Sequence, residues 1–176
     1  MRATKHRPLP ELLRQRGPVS KRKQRIRASI LGVKNKKIYL LKNIIDGREI
    51  WFLPGGSVEW GETLAEAAIR EAMEELQIHI KIKEMIAILD SISPAKDFHS
   101  IDVIFRSDFL GQPEASGERS NVKETTLNTY AIQGKWVDLN ELRTLEVYPK
   151  KFLKVFLPKY LVGNNLVKPF VGLDWD

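Results

Sequence analysis

The feature that most constrains this chain is the passage from Pro54-Gly55-Gly56 into the acid-rich stretch ending at Ile78. Proline withdraws a backbone donor and paired glycines permit a tight bend, so the apolar run Trp51-Phe52-Leu53 must stop there. Thr63, with Glu66 three residues on, forms a capping-box pattern that predicts a helix starting at about residue 63. At about 100° per residue, Glu71, Glu74 and Glu75 fan across one arc of that helix, with Arg70 at its flank. Ala65, Ala68, Ile69, Ala72, Met73 and Leu76 fill most of the remainder and predict the packing side. The chain must therefore place three carboxylates one turn apart, directly behind a glycine bend.

Carboxylates so spaced repel, at a cost of a few tenths of a kcal/mol per pair. A hard divalent cation, Mg²⁺ or Mn²⁺, compensates, because it takes carboxylate oxygens and leaves positions for water and phosphate. Ala67 and Ala68 beside the arc leave room for a phosphate to approach. The alternative is a solvated face held by i,i+4 charge pairs.

The spacing discriminates between the two. Gly56, five residues, Glu62, seven residues, then Arg70-Glu71-Ala72-Met73-Glu74-Glu75-Leu76-Gln77-Ile78 resembles the Nudix hydrolase box, G-x5-E-x7-R-E-U-x-E-E-x-G-U. Every charged position of the box is filled over these 23 of 176 residues, and Pro54-Gly55 also looks like the family. Gln77 stands where the box has glycine. A glycine there would be a left-handed helix cap, and Gln pays about 1 kcal/mol for that conformation.

The resemblance implies an α/β fold, the Nudix α/β/α sandwich, with a mixed sheet between helical layers. It implies hydrolysis of a nucleoside diphosphate linked to another moiety, with Mg²⁺, or Mn²⁺ in its place, as cofactor. Glu71, Glu74 and Glu75 are the expected metal ligands, and the Gly55 carbonyl is a further candidate. Arg70 and Glu62 are expected to pair and fix the helix against the loop. Glu71 is one candidate general base; an acid from the long polar stretch 111–134, Glu118 or Glu124, is the other. Each loop acid also reads as a simple solvated residue.

Other positions carry weaker signals. His79 and His99 open expected strands and read as structural rather than as acids or bases. Trp51 and Phe52 read as core, whereas Trp60, in the loop, could stack on a base or ribose. Pro94, 16 residues beyond the box, has a spacing similar to the ADP-ribose pyrophosphatase subgroup. That slightly favours ADP-ribose or a nucleotide sugar, although turns recruit proline anyway.

Composition bounds the rest. The net charge of +7 is uneven: residues 1–27 hold ten Lys/Arg against Glu11, giving +9, and the other 149 residues come to −2. Residues 1–27 thus read as a basic N-terminal extension and residues 28–176 as the catalytic domain. Pro10 to Arg16, closed by Gly17, could form a short helix within the extension. The extension serves either to solubilise, or pack across a homodimer mate, or to hold an anionic partner such as RNA. An RNA 5′ pyrophosphohydrolase is accordingly an alternative function, and a non-catalytic nucleotide-binding module is a third. No cysteine is present, which excludes disulfides and thiolate metal sites. No apolar run is long enough to span a membrane, so a cytoplasmic location is expected.

Strands are expected at 26–33, 37–44 and 49–53, then one or two across 78–91, another over 99–109 and one at 135–137. Turns at Lys34-Asn35-Lys36 and Asp46-Gly47 join the first three. A short helix is expected over 139–145 and a longer one from Tyr148 that ends at Pro158. The tail from Asn164, with Leu166, Phe170, Val171, Leu173 and Trp175, should pack back on the body or on a partner.

Overall fold

The computed structural model describes residues 23–45, 47–93, 98–114, 133–163 and 170–171. Alternating apolar residues place β1 (Lys23–Lys34) at the centre of a mixed sheet. Around it lie β2 (Lys37–Ile45), β3 (Arg48–Phe52), β4 (Gly55–Ser57), β5 (Ile80–Ser93), β6 (Phe98–Phe109), β7 (Gln133–Asp138), β8 (Val147–Tyr148) and β9 (Phe170–Val171). The main path runs β8-β3-β2-β1-β6-β5-β9, with β4 on β1 and β7 on β2. β1 pairs antiparallel with β2 and β4 but parallel with β6. The first turn has Asn35 and Lys36 at φ 51° and 61°, the geometry that matches hairpin twist.

Both faces of the sheet are covered, which is the α/β/α arrangement. The helix α1 (Leu64–Leu76) covers one face, where Ala68, Ala72 and Leu76 pack with Ala28, Ile30, Val103 and Phe105. The other face carries Leu31, Leu40, Leu53 and Ile104 against Leu142, Phe152, Leu153 and Leu157. This explains why β6 is buried on both faces through its middle. Where one or two strands were expected across 78–91 there is a single strand, β5 (Ile80–Ser93), with register shifts at Ile82/Glu84 and Met85/Ala87.

Two local expectations are refined. The short helix expected over 139–145 is a 3₁₀ helix, Glu141–Arg143. The later helix does not end at Pro158. It runs through a π turn, Phe152–Phe156, into α2 (Leu157–Leu161), with Pro158 in the first turn of α2. The widened turn, in which the Leu157 N–H donates to the Phe152 carbonyl, lets a residue without an N–H follow. The tail packs back through β9, which extends the sheet in parallel beside β5 at Ile88 and Leu89.

β1 begins at Lys23, inside the basic cluster 21–27, so the last part of that cluster is sheet. Residues 1–22, including the expected short helix, lie outside the described residues, as does most of the stretch 111–134. The start of that stretch is fastened to the end of α1, where the Glu114 N–H donates to the Leu76 carbonyl at 3.0 Å.

Candidate functional site

The site begins with two residues that have no side chain. Gly55 and Gly56 pair with Ser29 and Ala28 of β1, and α1 lies across them. Gly55 adopts φ +132°, a region that L side chains rarely enter, and a Cβ there would stand 2.8 Å from the Ser29 Cα. At Gly56 the volume of a Cβ is already taken by the Glu71 carboxylate, whose Oε2 would lie 2.6 Å away. The glycine bend therefore admits acidic side chains from the helix against bare backbone.

This rotates α1 from the expected orientation. Glu71 and Glu75, assigned to the polar arc, are 9% and 5% exposed, whereas Ile69 and Met73, expected to pack, are each 41% exposed. The reason is steric. Gly55 and Gly56 offer no side chain for a bulky apolar residue to pack on, while the Gly55 N–H gives Glu75 a hydrogen bond, so the carboxylates sit there and the larger apolar groups turn outward. Neither acid is in the apolar core; Glu75 Oε2 accepts from the Gly55 N–H at 2.7 Å.

Helix entry and exit are both defined. The Thr63 side chain accepts from the Glu66 N–H at 3.2 Å, and the Thr63 N–H donates to Glu66 Oε2 at 2.7 Å. At the exit Gln77 is left-handed, φ 53° and ψ 34°, and its N–H donates to the Met73 carbonyl.

Arg70 ties the parts together. Its Nε and Nη2 donate to Glu62 Oε2 and Oε1 at 3.0 and 2.7 Å. Nη2 also donates to the Ser57 carbonyl at 3.0 Å, and Nη1 to Glu71 Oε1 and Glu74 Oε2 at 3.1 and 3.2 Å. One guanidinium thus joins the loop, β4 and the acidic helix. The Arg70 hydrogen bonds, with a lesser one from the Glu59 N–H, hold the Glu62 carboxyl below its ordinary pKa. The same pairing pushes Arg70 further up.

The structure therefore brings together Gly55, Glu62, Arg70, Glu71 and Glu75. Glu74 shares the Arg70 contact but faces solvent. Glu118, Glu124 and Pro94 lie outside the described residues. Trp51 is core, Phe52 packs beside the other cluster and Trp60 is fully exposed. His79 is exposed just before β5, and His99 Nε2 lies 2.7 Å from Asp90 Oδ1.

A polar cluster on β1 and β6 escaped sequence reasoning. Ser29 Oγ donates to Asp102 Oδ1 at 2.7 Å, while Arg27 Nε donates to Ser29 Oγ at 3.0 Å. Arg27 Nη2 reaches the Leu53 carbonyl at 2.9 Å, two residues before Gly55. Burial pushes the Asp102 carboxyl up, against the opposing pull of Arg27 and Ser29. The available signal was Arg25, Arg27 and Ser29 at alternate positions of a strand whose other side is apolar.

Among the described residues no three acidic or imidazole side chains converge into a ready-made metal cage. The residues do fit a hard cation that is held by few protein ligands. Glu71 and Glu75 supply carboxylate oxygen beside the glycine backbone, and Mg²⁺ ordinarily takes one or two carboxylates, keeping waters and substrate phosphate for the rest.

Comparison with known proteins agrees with this architecture. The NUDIX domain model matches residues 23–156. An ADP-ribose pyrophosphatase of Methanocaldococcus jannaschii is 30% identical over 125 residues, 70% of this chain and 68% of that protein. An RNA pyrophosphohydrolase of Pelagibacter ubique is 28% identical over 121 residues, 65% of this chain and 75% of that protein. The crystal structure of a MutT NUDIX hydrolase from Burkholderia pseudomallei superposes with TM-score 0.60 at 22% identity, covering 74% of this chain and 95% of that one. At that identity the superposition speaks for the fold alone.

Proposed function

The chain belongs to the NUDIX family of hydrolases, and on that premise we propose that it cleaves the pyrophosphate bond of a nucleoside diphosphate joined to a second moiety, with Mg²⁺ as cofactor. ADP-ribose and nucleotide sugars are the favoured substrates. The observation that carries the reading is the seating of Glu71 and Glu75 against Gly55-Gly56. Two carboxylates are held at a backbone surface where neither can be replaced by a packed apolar group.

The roles follow from that placement. Glu71, Glu74 and Glu75, with the Gly55 carbonyl, would hold the metal. When bound, it neutralises phosphate oxygens and acidifies water for attack on phosphorus. Glu75 is oriented by the Gly55 N–H, which donates to its Oε2 at 2.7 Å. Arg70 positions Glu71 and Glu74 while Glu62 holds Arg70 from the opposite side. Glu71, beside the bare Gly56 backbone, is the candidate for accepting a proton from the attacking water, and Glu124 is the loop candidate for the same task.

Glu75→Gln tests the reading. Gln Oε1 can still accept from the Gly55 N–H, so the thermal midpoint should stay near that of the wild type while Mg²⁺-dependent release of phosphate or nucleotide is abolished. Unchanged turnover would overturn the assignment. The +9 charge of residues 1–27 and the Pelagibacter relative favour one second reading, removal of pyrophosphate from a 5′-triphosphate RNA end. RNA binding that is absent, or insensitive to salt, would remove it.

A further inference from the structure

Two carbonyls precede Gly55, and β1 holds both. Arg27 Nη2 donates to the Leu53 carbonyl at 2.9 Å, and the Ile30 N–H donates to the Pro54 carbonyl at 2.8 Å. Between them the Pro54 ring fixes φ, and the peptide units on either side are planar. The Gly55 N–H belongs to the second of those units and donates to Glu75 Oε2 at 2.7 Å. The direction in which Gly55 meets Glu75 is therefore set by where the Leu53 and Pro54 carbonyls are tied. The Ile30 tie is ordinary main chain. The other requires a guanidinium that is nearly buried: the Arg27 and Asp102 side chains are each 11% exposed and stand 3.8 Å apart. Ser29 fills the gap between them, accepting from Arg27 Nε at 3.0 Å and donating to Asp102 Oδ1 at 2.7 Å. Its backbone pairs with Gly55, and Asp102 comes from β6 in register with Arg27. Apolar residues in place of a buried ion pair commonly leave a fold as stable or more so, so stability does not account for this cluster.

We propose that Arg27, Ser29 and Asp102 are positioning residues for the metal site: Asp102 and Ser29 hold the Arg27 guanidinium, which pins the Leu53 carbonyl and so fixes the Gly55 backbone that orients Glu75. The line of support runs from β6 through β1 to the glycine bend and ends on a carboxylate of α1. Arginine suits the task because its planar fork donates to the Ser29 hydroxyl and the Leu53 carbonyl at once, whereas an ammonium on a flexible stem does not fix both. The three residues act through Gly55 and not on the substrate. The inference deepens the proposed function and rests on its metal assignment, although the hold on Gly55 can be measured with neither metal nor turnover.

The test uses the full chain and two readouts besides activity: Mn²⁺ titration followed by electron paramagnetic resonance, and hydrogen exchange of the Gly55 amide without metal. The triple variant Arg27→Met/Ser29→Ala/Asp102→Val exchanges the whole cluster for apolar groups, a change that should leave the denaturation midpoint near or above that of the wild type. Its Mn²⁺ dissociation constant should rise about tenfold to a hundredfold, the range for groups that support metal ligands. The Gly55 amide should exchange faster while the Leu40 amide, in β2, keeps its rate. Arg27→Lys, which keeps the charge beside Asp102 without the fork, should show a smaller loss of both. In turnover, the Mg²⁺ concentration for half-saturation should rise with the Mn²⁺ constant, and KM for a diphosphate substrate should stay within about twofold. Unchanged Mn²⁺ affinity in a folded triple variant overturns the proposal, as does weaker affinity with Gly55 exchange unmoved. If the triple variant does not fold, Arg27→Lys decides: a loss in both readouts supports the proposal and anything less overturns it. A wild type that binds Mn²⁺ in dependence on Arg27 yet hydrolyses no diphosphate would sink the proposed function and leave the positioning role standing. Normal hydrolysis with an unmoved Mg²⁺ requirement in the triple variant would do the reverse, and a wild type that takes up no Mn²⁺ would sink both.

Discussion

Adding one methyl group at each of two adjacent glycines should separate folding from catalysis. At Gly56 a new Cβ meets the Glu71 carboxylate, with Oε2 at 2.6 Å and its other carboxyl atoms nearer still. The backbone there lies outside the left-handed region, so alanine adds no conformational strain. The obstructing group is the far end of a flexible side chain that can swing aside, and ordinary contact at about 3.5 to 4 Å then requires a shift on the order of 1 Å or more. Stability should fall by about 1 kcal/mol or less, the low end for an overpacked site. A displacement of about 1 Å in a catalytic group costs on the order of 10²-fold in rate. Gly55→Ala behaves differently, because its Cβ runs into β1 backbone, 2.8 Å from the Ser29 Cα, at φ +132°. Strain of about 1–3 kcal/mol for that conformation adds to about 1–3 kcal/mol of overpacking against atoms that cannot move aside. The sum is a large share of the roughly 5–15 kcal/mol that holds a domain folded. Urea denaturation beside Mg²⁺-dependent turnover reads both quantities. Full activity in Gly56→Ala would refute the placement of Glu71 at the reacting centre, and equal unfolding of the two variants would refute the distinction between mobile carboxylate and fixed backbone.

Two further outcomes are expected. Gln77→Gly should stabilise the protein by about 0.5–1 kcal/mol, because the left-handed helix exit suits glycine; a lower denaturation midpoint would show that the Gln77 side chain outweighs its backbone strain. Burial raises the Asp102 pKa in the folded chain, so this group costs stability as pH rises from its unfolded value of about 3.9 through the folded one. Asp102→Asn should therefore gain relative to wild type across that rise, and parallel curves from pH 3.5 upward would contradict the shift.

What could be read in advance was what is local. The capping box at Thr63 and Glu66 involves neighbours one turn apart, so spacing alone exposed it. The hairpin at Asn35-Lys36 and the strand break at Pro54 are equally short-range. The seating of α1 was misread because a helical wheel ranks faces by apolar content, while the true face was selected by the bare backbone of Gly55 and Gly56. Hence Ile69 and Met73 turned outward and Glu71 and Glu75 inward. The Ser29–Asp102 hydrogen bond joins residues 73 positions apart and depends on parallel pairing of β1 with β6, which no local pattern encodes. Pro158 misled for a related reason. The rule that proline stops a helix presumes α geometry, and a π turn precedes it here.

β1 is bonded to β2 on one side of the fold and to β6 on the other, and β4 is bonded to β1. Among the described residues the outermost partners, β8 and β9, contribute two residue pairs each. Fraying at either margin can therefore proceed without loosening the glycine pair, and amide protons of β1 should be among the last to exchange with solvent. A fold arranged this way can vary at its periphery while the glycine pair and the carboxylates seated against it keep their spacing.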